Sequence, residues 1–261
     1  MDKKVTFDTQ KYEKFRASLS SENCTRGGWI TLSDPKIAEI FARSGFDWVL
    51  VDLEHSGISL NVAEMHIRIL NLLNVISFCR PTFRSSDQMR RMLDAGADGF
   101  ILPKFHGIED IEFAVDTVMF PPKGRRGMAL HPANGYGRFF DEYLSLHQSG
   151  PIIIAQIEDC EGVDGLESIA NHRHLDGIFL GPYDLSLSLG CPGDFDSPVF
   201  KEAVGRVRKI ARKYHKPLGM HVISPEINAT QEAIKQGYNF IACSFDTKIL
   251  SHLSSNLTEG R

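Results

Sequence analysis

Short apolar runs alternate with segments of helical periodicity along most of this chain. Two of these runs cover residues 152–154 and 175–180, and a carboxylate follows each of them, Glu158 and Asp184. Continuous apolar runs of this length are typical of strands that are buried on both faces of a parallel sheet. If the two strands are neighbours, both carboxylates point into one pocket at the edge of the sheet.

The same pattern predicts eight strands in all, each followed by a helical segment. The remaining six strands are expected at residues 27–32, 48–54, 76–81, 99–104, 216–222 and 240–246. Eight repeats of strand and helix in 261 residues predict a (β/α)₈ barrel, the TIM-barrel fold, as a single domain spanning residues 1–261. An open doubly wound sheet has the same alternation, but no Gly-rich nucleotide-binding loop is present to favour it. A short polar helix at residues 8–20 precedes the barrel.

The composition limits which kinds of molecule this protein is expected to bind and in which compartment it is expected. The net charge of −4 indicates neither a nucleic-acid-binding protein nor one that binds an anionic membrane surface. No apolar segment at the N-terminus resembles a signal peptide, and no run is long enough to span a bilayer. The five cysteines are scattered and lack CxxC spacing, which favours free thiols in a reducing cytoplasm. We therefore expect a cytoplasmic protein whose partners are small molecules.

Polar residues interrupt the apolar runs mainly at one end of the predicted strands. Catalytic groups of a barrel lie at the carboxyl ends of its strands or in the loops that follow. The residues of this kind are Glu54, His55, Arg80, Lys104, Gln156, Glu158, Asp184 and His221. Their clustering at a single end predicts an active site there.

Several sequence blocks together resemble the metal-dependent (class II) pyruvate aldolases. This family includes 4-hydroxy-2-oxoheptanedioate aldolase and 2-dehydro-3-deoxy-sugar-acid aldolases, with macrophomate synthase and citrate-lyase-β-like enzymes as relatives. The resemblance extends over about residues 15–250 and implies a barrel of the phosphoenolpyruvate/pyruvate-domain type. The blocks are VDLEHSG, CRP, LDAGADGFILPK, FPPKGRRGM, QIED and DGIFLGPYDLSLSLG.

The resemblance implies that Glu158 and Asp184 bind a divalent metal, Mg²⁺ or Mn²⁺, with Co²⁺ as a further candidate. Two carboxylates and waters form an incomplete oxygen shell with room for a 2-oxo acid to chelate. The metal would polarise the keto oxygen and stabilise the enolate. On the residues alone, both acids could instead cap helices or form salt bridges, and Asp184 is a plausible N-cap.

The resemblance also implies the catalytic groups. Arg80 matches an arginine beside the keto oxygen, where its permanent charge would offset the developing enolate charge; the alternative is a structural ion pair. His55 matches the acid–base histidine, which would move the proton of the aldol hydroxyl, with Asp52 as its expected partner. Glu54 belongs to the same motif and would support these groups.

Five further residues are expected to contact the substrate. By resemblance, Gln156 faces the ligand, and Gly181 and Tyr183 lie in the turn whose backbone N–H groups hold the pyruvate carboxylate. Arg126 matches an arginine near the mouth of the site, although a solvated loop charge is the alternative. Trp29 lies at the rim of the first strand, where it either packs on the substrate or fills the end of the barrel.

Three departures from the family pattern matter. Tyr183 stands where the family usually has alanine, which would alter the carboxylate pocket. Lys104 replaces an apolar residue, and a Schiff-base (class I) mechanism on this lysine would leave Glu158 and Asp184 without a role. The segment at residues 129–140 also differs, and we expect it to select the acceptor aldehyde.

The sequence therefore predicts a metal-dependent lyase that reversibly cleaves a 4-hydroxy-2-oxo acid to pyruvate and an aldehyde. An enolate-forming decarboxylase or acyl-CoA lyase is the nearest alternative, although no basic CoA-binding patch is evident. A non-catalytic barrel that binds a 2-oxo acid is an alternative of a different class. The resemblance implies a homo-oligomer, a hexamer or trimer, with the C-terminal helix packed on a neighbouring subunit.

Overall fold

Eight parallel strands close into a barrel in chain order, which confirms the predicted TIM-barrel fold. The structure is a computed structural model and describes residues 7–19 and 24–259. The strands are β1 (Thr25–Ile30), β2 (Trp48–Asp52), β3 (Ile76–Arg80), β4 (Gly99–Leu102), β5 (Ile152–Ile157), β6 (Gly177–Leu180), β7 (Leu218–Val222) and β8 (Phe240–Cys243).

The helices pack around the barrel, and those between two strands lead from the carboxyl end of one strand to the amino end of the next, whereas the first helix covers the amino end. They are α1 (Lys11–Leu19), α2 (Lys36–Arg43), α3 (Leu60–Leu72), α4 (Ser86–Ala95), α5 (Ile108–Val118), α6 (Phe140–Leu146), α7 (Cys160–Ile169), α8 (Pro182–Ser188), α9 (Pro198–Lys213), α10 (Ile227–Lys235) and α11 (Asp246–Asn256). None of the helices in the described ranges is long and apolar enough to cross a membrane.

Most predicted bounds agree with the structure to within two residues. The last strand is an exception, since β8 ends at Cys243, whereas it was expected to continue to residue 246. The first strand is displaced by two residues, from the expected 27–32 to Thr25–Ile30. The predicted N-terminal helix is α1, which begins at Lys11 rather than at residue 8; its expected last position, residue 20, lies outside the described residues.

The barrel interior is filled by side chains that alternate along each strand. Trp48, Phe78, Phe179 and Phe240 form the aromatic centre, and the Trp48 and Phe240 rings stack with their centroids 4.3 Å apart. Gly27 makes room for this packing, because a Cβ atom there would lie 2.2 Å from the Trp48 ring. These aromatic side chains fill the barrel between its centre and the amino ends of the strands. A ligand can therefore enter the barrel only from the carboxyl end.

Helix α1 closes the amino end of the barrel. Its buried face carries Tyr12, Phe15 and Leu19, and these residues join the interior cluster. The Phe15 ring lies 5.7 Å from Phe78 and 6.4 Å from Phe240, measured between centroids. One end of the barrel is therefore sealed by apolar packing.

Candidate active site

The alternation of side chains that fills the barrel interior also places polar side chains at the carboxyl ends of the strands. Successive side chains of a strand point to opposite faces, so a position two residues after an interior residue is again interior. On four strands, the last apolar or glycine position of the core is followed in this way by a polar one. The pairs are Leu50 and Asp52, Phe78 and Arg80, Ile154 and Gln156, and Gly219 and His221.

Asp52 and Arg80 form a buried ion pair at this end. They are directly paired in the β2–β3 register. Arg80 Nε donates to Asp52 Oδ1 at 2.9 Å, and Nη2 donates to Oδ2. Their side chains are 1% and 9% exposed, respectively. Burial opposes both charges, but the hydrogen bonds and charge of the partner outweigh it, so the pKa of Asp52 is lowered and that of Arg80 is raised.

Trp29 and His221 complete this group. Trp29 Nε1 donates to Asp52 Oδ2 at 3.2 Å, and the Arg80 guanidinium carbon lies 4.8 Å from the centroid of the indole. The His221 ring stacks on the indole with centroids 4.5 Å apart. His221 Nε2 lies 3.1 Å from the carbonyl oxygen of Ser244. Trp29 is therefore held between the barrel core and the charged pair, although its contact with a substrate stays a prediction.

Glu158 lies at the same end of the barrel, where it contacts Gln156, Lys104 and Gly181. The Glu158 carboxylate accepts a 2.8 Å hydrogen bond from the backbone N–H of Lys104, and Gln156 Nε2 donates to its other oxygen. A Cβ atom on Gly181 would lie 2.8 Å from Glu158 Cβ, so this position requires glycine for close approach. Burial is the largest cause that raises the pKa of Glu158, to about 7, and the negative charges of Glu54 and Asp184 raise it further.

Asp184 lies in the first turn of α8, at its third residue. The helix begins after Gly181, so the N-cap alternative for Asp184 is wrong. The Gly181 N–H donates to the Ile157 carbonyl at 3.0 Å and is not free for a ligand carboxylate, contrary to the expectation for this residue. The backbone N–H groups of Tyr183 and Asp184 lie in the first turn of α8, where no carbonyl oxygen of the same helix can accept their hydrogen bonds.

The Tyr183 side chain points toward the outer helices. Tyr183 is 52% exposed as a residue, and its ring makes an edge contact with Phe195, with centroids 5.0 Å apart. The tyrosine that stands in place of alanine therefore packs on the segment that precedes α9.

His55 is placed at the mouth of the site with a partner other than the expected one. Its ring is 63% exposed, and its Nε2 lies 3.7 Å from Glu54 Oε2. Asp52 contacts His55 only through the backbone N–H, at 3.3 Å, because the Asp52 carboxylate is engaged by Arg80 and Trp29. The prediction of a side-chain pair between His55 and Asp52 is thus not supported, and Glu54 takes that place.

The oxygen donors at this end fit a divalent cation. Gln156 Oε1 is buried and has no hydrogen-bond partner among the described residues, and Glu54 Oε2 is buried with only ion-pair contacts, to Arg80 Nε at 3.4 Å and His55 Nε2 at 3.7 Å. A cation would also offset the negative charges of Glu54 and Asp184 that raise the pKa of Glu158. Carboxylate and amide oxygens are hard donors, suited to Mg²⁺ or Mn²⁺. Within residues 7–19 and 24–259, no three His, Cys, Asp or Glu side chains are grouped closely enough to hold a metal by themselves. Such a cation would therefore keep positions open for water or a ligand.

Arg126 does not join this group. It is buried, donates to Asp94 Oδ1 at 2.9 Å and to the Tyr143 hydroxyl at 2.8 Å, and lies over the Phe120 ring. Asp94 is in the last turn of α4, and the helices run antiparallel to the strands, so this contact lies at the amino end of the barrel. The expectation that Arg126 lies near the mouth of the site is therefore not supported, and neither is the alternative of a solvated loop charge, because Arg126 is buried.

The segment at residues 129–140 lies at the same distant end. His131 Nε2 is 3.2 Å from Asp94 Oδ1, and a short 3₁₀ turn at Pro132–Asn134 packs beside α4. Within one chain this segment does not reach the carboxyl ends of the strands, so it does not select the acceptor aldehyde there, contrary to our expectation.

Ser244 is a residue of this site that the sequence pattern did not single out. It is fully buried directly after β8, and its φ of 62° turns its carbonyl oxygen toward His221. A serine after a strand carries no recognisable signal, and the contact depends on a backbone conformation. His221 was recognised as a residue at a strand end but without a role.

Comparisons with known proteins find related chains over most of this sequence. A family model described as HpcH/HpaI aldolase/citrate lyase matches residues 26–253. The 5-keto-4-deoxy-D-glucarate aldolase of Escherichia coli O6:H1 is 30% identical over 247 residues, which are 94% of this chain and 95% of that protein.

Solved structures show the same relationship. An HpcH/HpaI aldolase/citrate lyase family protein from Burkholderia cenocepacia J2315 is 27% identical, with a TM-score of 0.87 over 94% of this chain and 98% of that one. A citrate synthase, SbnG, is 27% identical, with a TM-score of 0.79 over 93% and 95% of the two chains. These similarities confirm the predicted aldolase-type enzyme. The family model matches most of the length of this chain, so the chain belongs to the HpcH/HpaI aldolase/citrate lyase family.

Proposed function

We propose that this protein is a metal-dependent aldolase that reversibly cleaves a 4-hydroxy-2-oxo acid to pyruvate and an aldehyde. The observation that carries the proposal is the buried Asp52–Arg80 pair, which holds the Arg80 guanidinium near the carboxylate of Glu158. Asp184 in turn lies near Glu158. A fixed cation next to a candidate metal site is suited to an enolate, whose negative charge develops on the keto oxygen.

Glu158 and Asp184 would hold Mg²⁺ or Mn²⁺, with Co²⁺ as a further candidate. The cation, when bound, would serve as a Lewis acid toward the keto oxygen of the substrate. Gln156 would fix Glu158 and position the ligand, since its Nε2 donates to that carboxylate while its Oε1 has no partner in the described part of the chain.

Arg80 would stabilise the charge of the enolate. Both of its hydrogen bonds to Asp52 hold the guanidinium in place, so little reorganisation is needed when charge develops. The N–H groups of Tyr183 and Asp184 would hold the substrate carboxylate, because the first turn of α8 leaves them without helical partners.

His55 would move the proton of the aldol hydroxyl. Its ring is exposed at the mouth of the site, within reach of a substrate and of water. Glu54 lies 3.7 Å from its Nε2 and would stabilise the imidazolium that forms when the hydroxyl proton is taken up. Glu54 also lies 3.4 Å from Arg80 Nε, so it links the proton-transfer group to the enolate-binding group.

The direct test is pyruvate release from a panel of 4-hydroxy-2-oxo acids, measured with a coupled reductase. The panel begins with 5-keto-4-deoxy-D-glucarate, on which the named relatives act. We expect metal-dependent release that Asp184→Asn strongly reduces, because the variant loses one of two metal-binding carboxylates. Release that is unaffected by chelator and by this substitution would contradict the proposal.

A second outcome would favour the alternative function. The similarity to a citrate synthase shows that this barrel also occurs in a protein named for a different carbon–carbon reaction. If the enzyme enolises pyruvate but releases none from any hydroxy-oxo acid, an enolate-forming lyase or synthase with another partner substrate is the better description.

We also propose that the protein is a cytoplasmic homo-oligomer, a hexamer or trimer. All five cysteines are free, as expected in a reducing compartment. Helix α11 buries only Asp246, and its Leu250 and Leu253 are at least half exposed, as is Leu257 directly after the helix. Exposed apolar residues along one helix are typical of a subunit contact, and light scattering together with truncation after residue 245 would test it.

A further inference from the structure

We propose that His221 is a positioning residue of this enzyme, which holds the Trp29 indole in the orientation that fixes the Asp52–Arg80 pair. This inference deepens the proposed function and, for its kinetic part, rests on it. His221 touches neither the candidate metal ligands nor the expected reacting atoms in any contact of the described residues. Its effect on catalysis would therefore pass through Trp29.

Two contacts fix the His221 ring. Nε2 lies 3.1 Å from the Ser244 carbonyl oxygen, and a carbonyl only accepts hydrogen bonds, so Nε2 carries the proton. The Phe245 ring packs against the imidazole edge, with centroids 5.8 Å apart. Ser244 itself is rigid, because its N–H and its hydroxyl donate to the carbonyls of Val222 and Ile223, respectively.

The imidazole in turn fixes Trp29. The two rings stack at 24° with centroids 4.5 Å apart, which is close parallel contact. Burial lowers the pKa of His221 to about 4, so the ring is neutral near pH 7 and adds no second cation beside Arg80. A neutral ring with a hydrogen-bonded edge is suited to supporting an indole without competing for Asp52.

Trp29 connects His221 to the Asp52–Arg80 pair. Its Nε1 donates to Asp52 Oδ2, the oxygen that also accepts from Arg80 Nη2. If the indole rotated, Asp52 would lose one of its three side-chain donors and Arg80 would lose the ring beneath it. A displacement of about 1 Å in a catalytic group can reduce a rate by about a hundredfold.

Three substitutions of His221 separate its stacking on Trp29 from its hydrogen bond to Ser244. His221→Leu removes the stacking and the hydrogen bond, His221→Phe keeps a ring without the hydrogen bond, and His221→Gln keeps a donor without the ring. The matched control is Met220→Leu, on the same strand but packed against the outer core, where a swap of similar volume is tolerated. Each protein is assayed for metal-dependent deuterium exchange into the methyl group of pyruvate and for tryptophan emission.

We expect His221→Leu to lower kcat for exchange about tenfold and to change KM for pyruvate by less than about twofold, since Arg80 acts on charge that develops in the transition state. The Phe and Gln variants should fall between Leu and the wild type. The emission of Trp29 should change in the Leu variant and remain unchanged in Met220→Leu. Trp48 is the only other tryptophan, so Trp29→Phe assigns the signal.

The outcomes are distinguishable. A folded His221→Leu protein with unaltered kcat would overturn the inference, as would an unaltered Trp29 emission. If His221→Leu does not fold, wild-type kcat and emission in both the Phe and the Gln variants would overturn it. If the wild-type enzyme itself shows no exchange, the proposed function fails, and the emission of Trp29 still decides whether His221 positions the indole.

Discussion

Replacing Asp52 by asparagine tests the role of the buried ion pair. The substitution removes the charge that compensates Arg80 while preserving the size of the side chain and an oxygen for the Trp29 hydrogen bond. Arg80 is 9% exposed and would remain charged, because guanidinium does not lose its proton in proteins. The variant therefore leaves a buried positive charge with its main partner neutralised.

The cost can be worked from these contacts. Breaking a buried ion pair by removing one charge typically costs about 3–5 kcal/mol. Glu54 Oε2 lies 3.4 Å from Arg80 Nε and compensates part of the lost charge. We therefore expect a loss at the lower end, about 3 kcal/mol of unfolding free energy, and a large loss of pyruvate deuterium exchange, since the guanidinium is then held only from one side.

Urea denaturation followed by circular dichroism measures the stability change, with metal absent so that binding does not contribute. Asp116→Asn is the matched control, because Asp116 forms a solvent-exposed pair with Arg125 at 2.7 Å and should show no measurable change. A loss for Asp52→Asn no larger than that of the control would refute the reasoning.

Four further predictions concern Glu158 and the residues that contact it. The pKa of Glu158 is raised from its ordinary value of 4.5 to about 7, so metal affinity, measured by calorimetry, should weaken as the pH falls below about 7; a pH-independent affinity between 5 and 8 would contradict this. A raised pKa stabilises the fold below pH 4.5, and this contribution is lost as the pH rises through about 7, so the metal-free protein should lose stability over that window in thermal melts. Gly181→Ala should lower both the metal affinity and the stability, the latter by about 1–3 kcal/mol, because the added Cβ would lie 2.8 Å from Glu158 Cβ. Wild-type values of both would contradict this and show that β5 and β6 can move apart to admit the Cβ. Lys104→Gln should retain deuterium exchange, and borohydride should trap no pyruvate adduct in the wild type, since the expected role of Lys104 is its backbone hydrogen bond to Glu158; a trapped adduct would indicate a Schiff base.

The fold and the positions of most site residues follow from local patterns. Alternation along a strand is a period of two, so once Phe78 is interior, Arg80 must be interior as well. The same reasoning takes Ile154 to Gln156. The strand run and the polar residue at its end were both visible in the sequence, and together they indicated where the site lies.

Contacts between distant segments could not be predicted in this way. The partner of His55 depends on which oxygen acceptor Arg80 occupies, and the bidentate pairing with Asp52 leaves Glu54 for the histidine. Arg126 belongs to a motif that resembles a substrate-binding segment, but its location at the amino end depends on the direction of α4. The Gly181 N–H is taken by a strand-end hydrogen bond that only the register of β5 and β6 determines.

Deuterium exchange into the methyl group of pyruvate, followed by NMR, tests the central claim without knowledge of the aldehyde. The account predicts exchange that stops with chelator, returns with Mg²⁺ or Mn²⁺, is lost in Glu158→Ala and is slowed in Arg80→Ala. Exchange that persists with chelator, or that is absent with either metal, would contradict a metal-dependent enolate mechanism at this site.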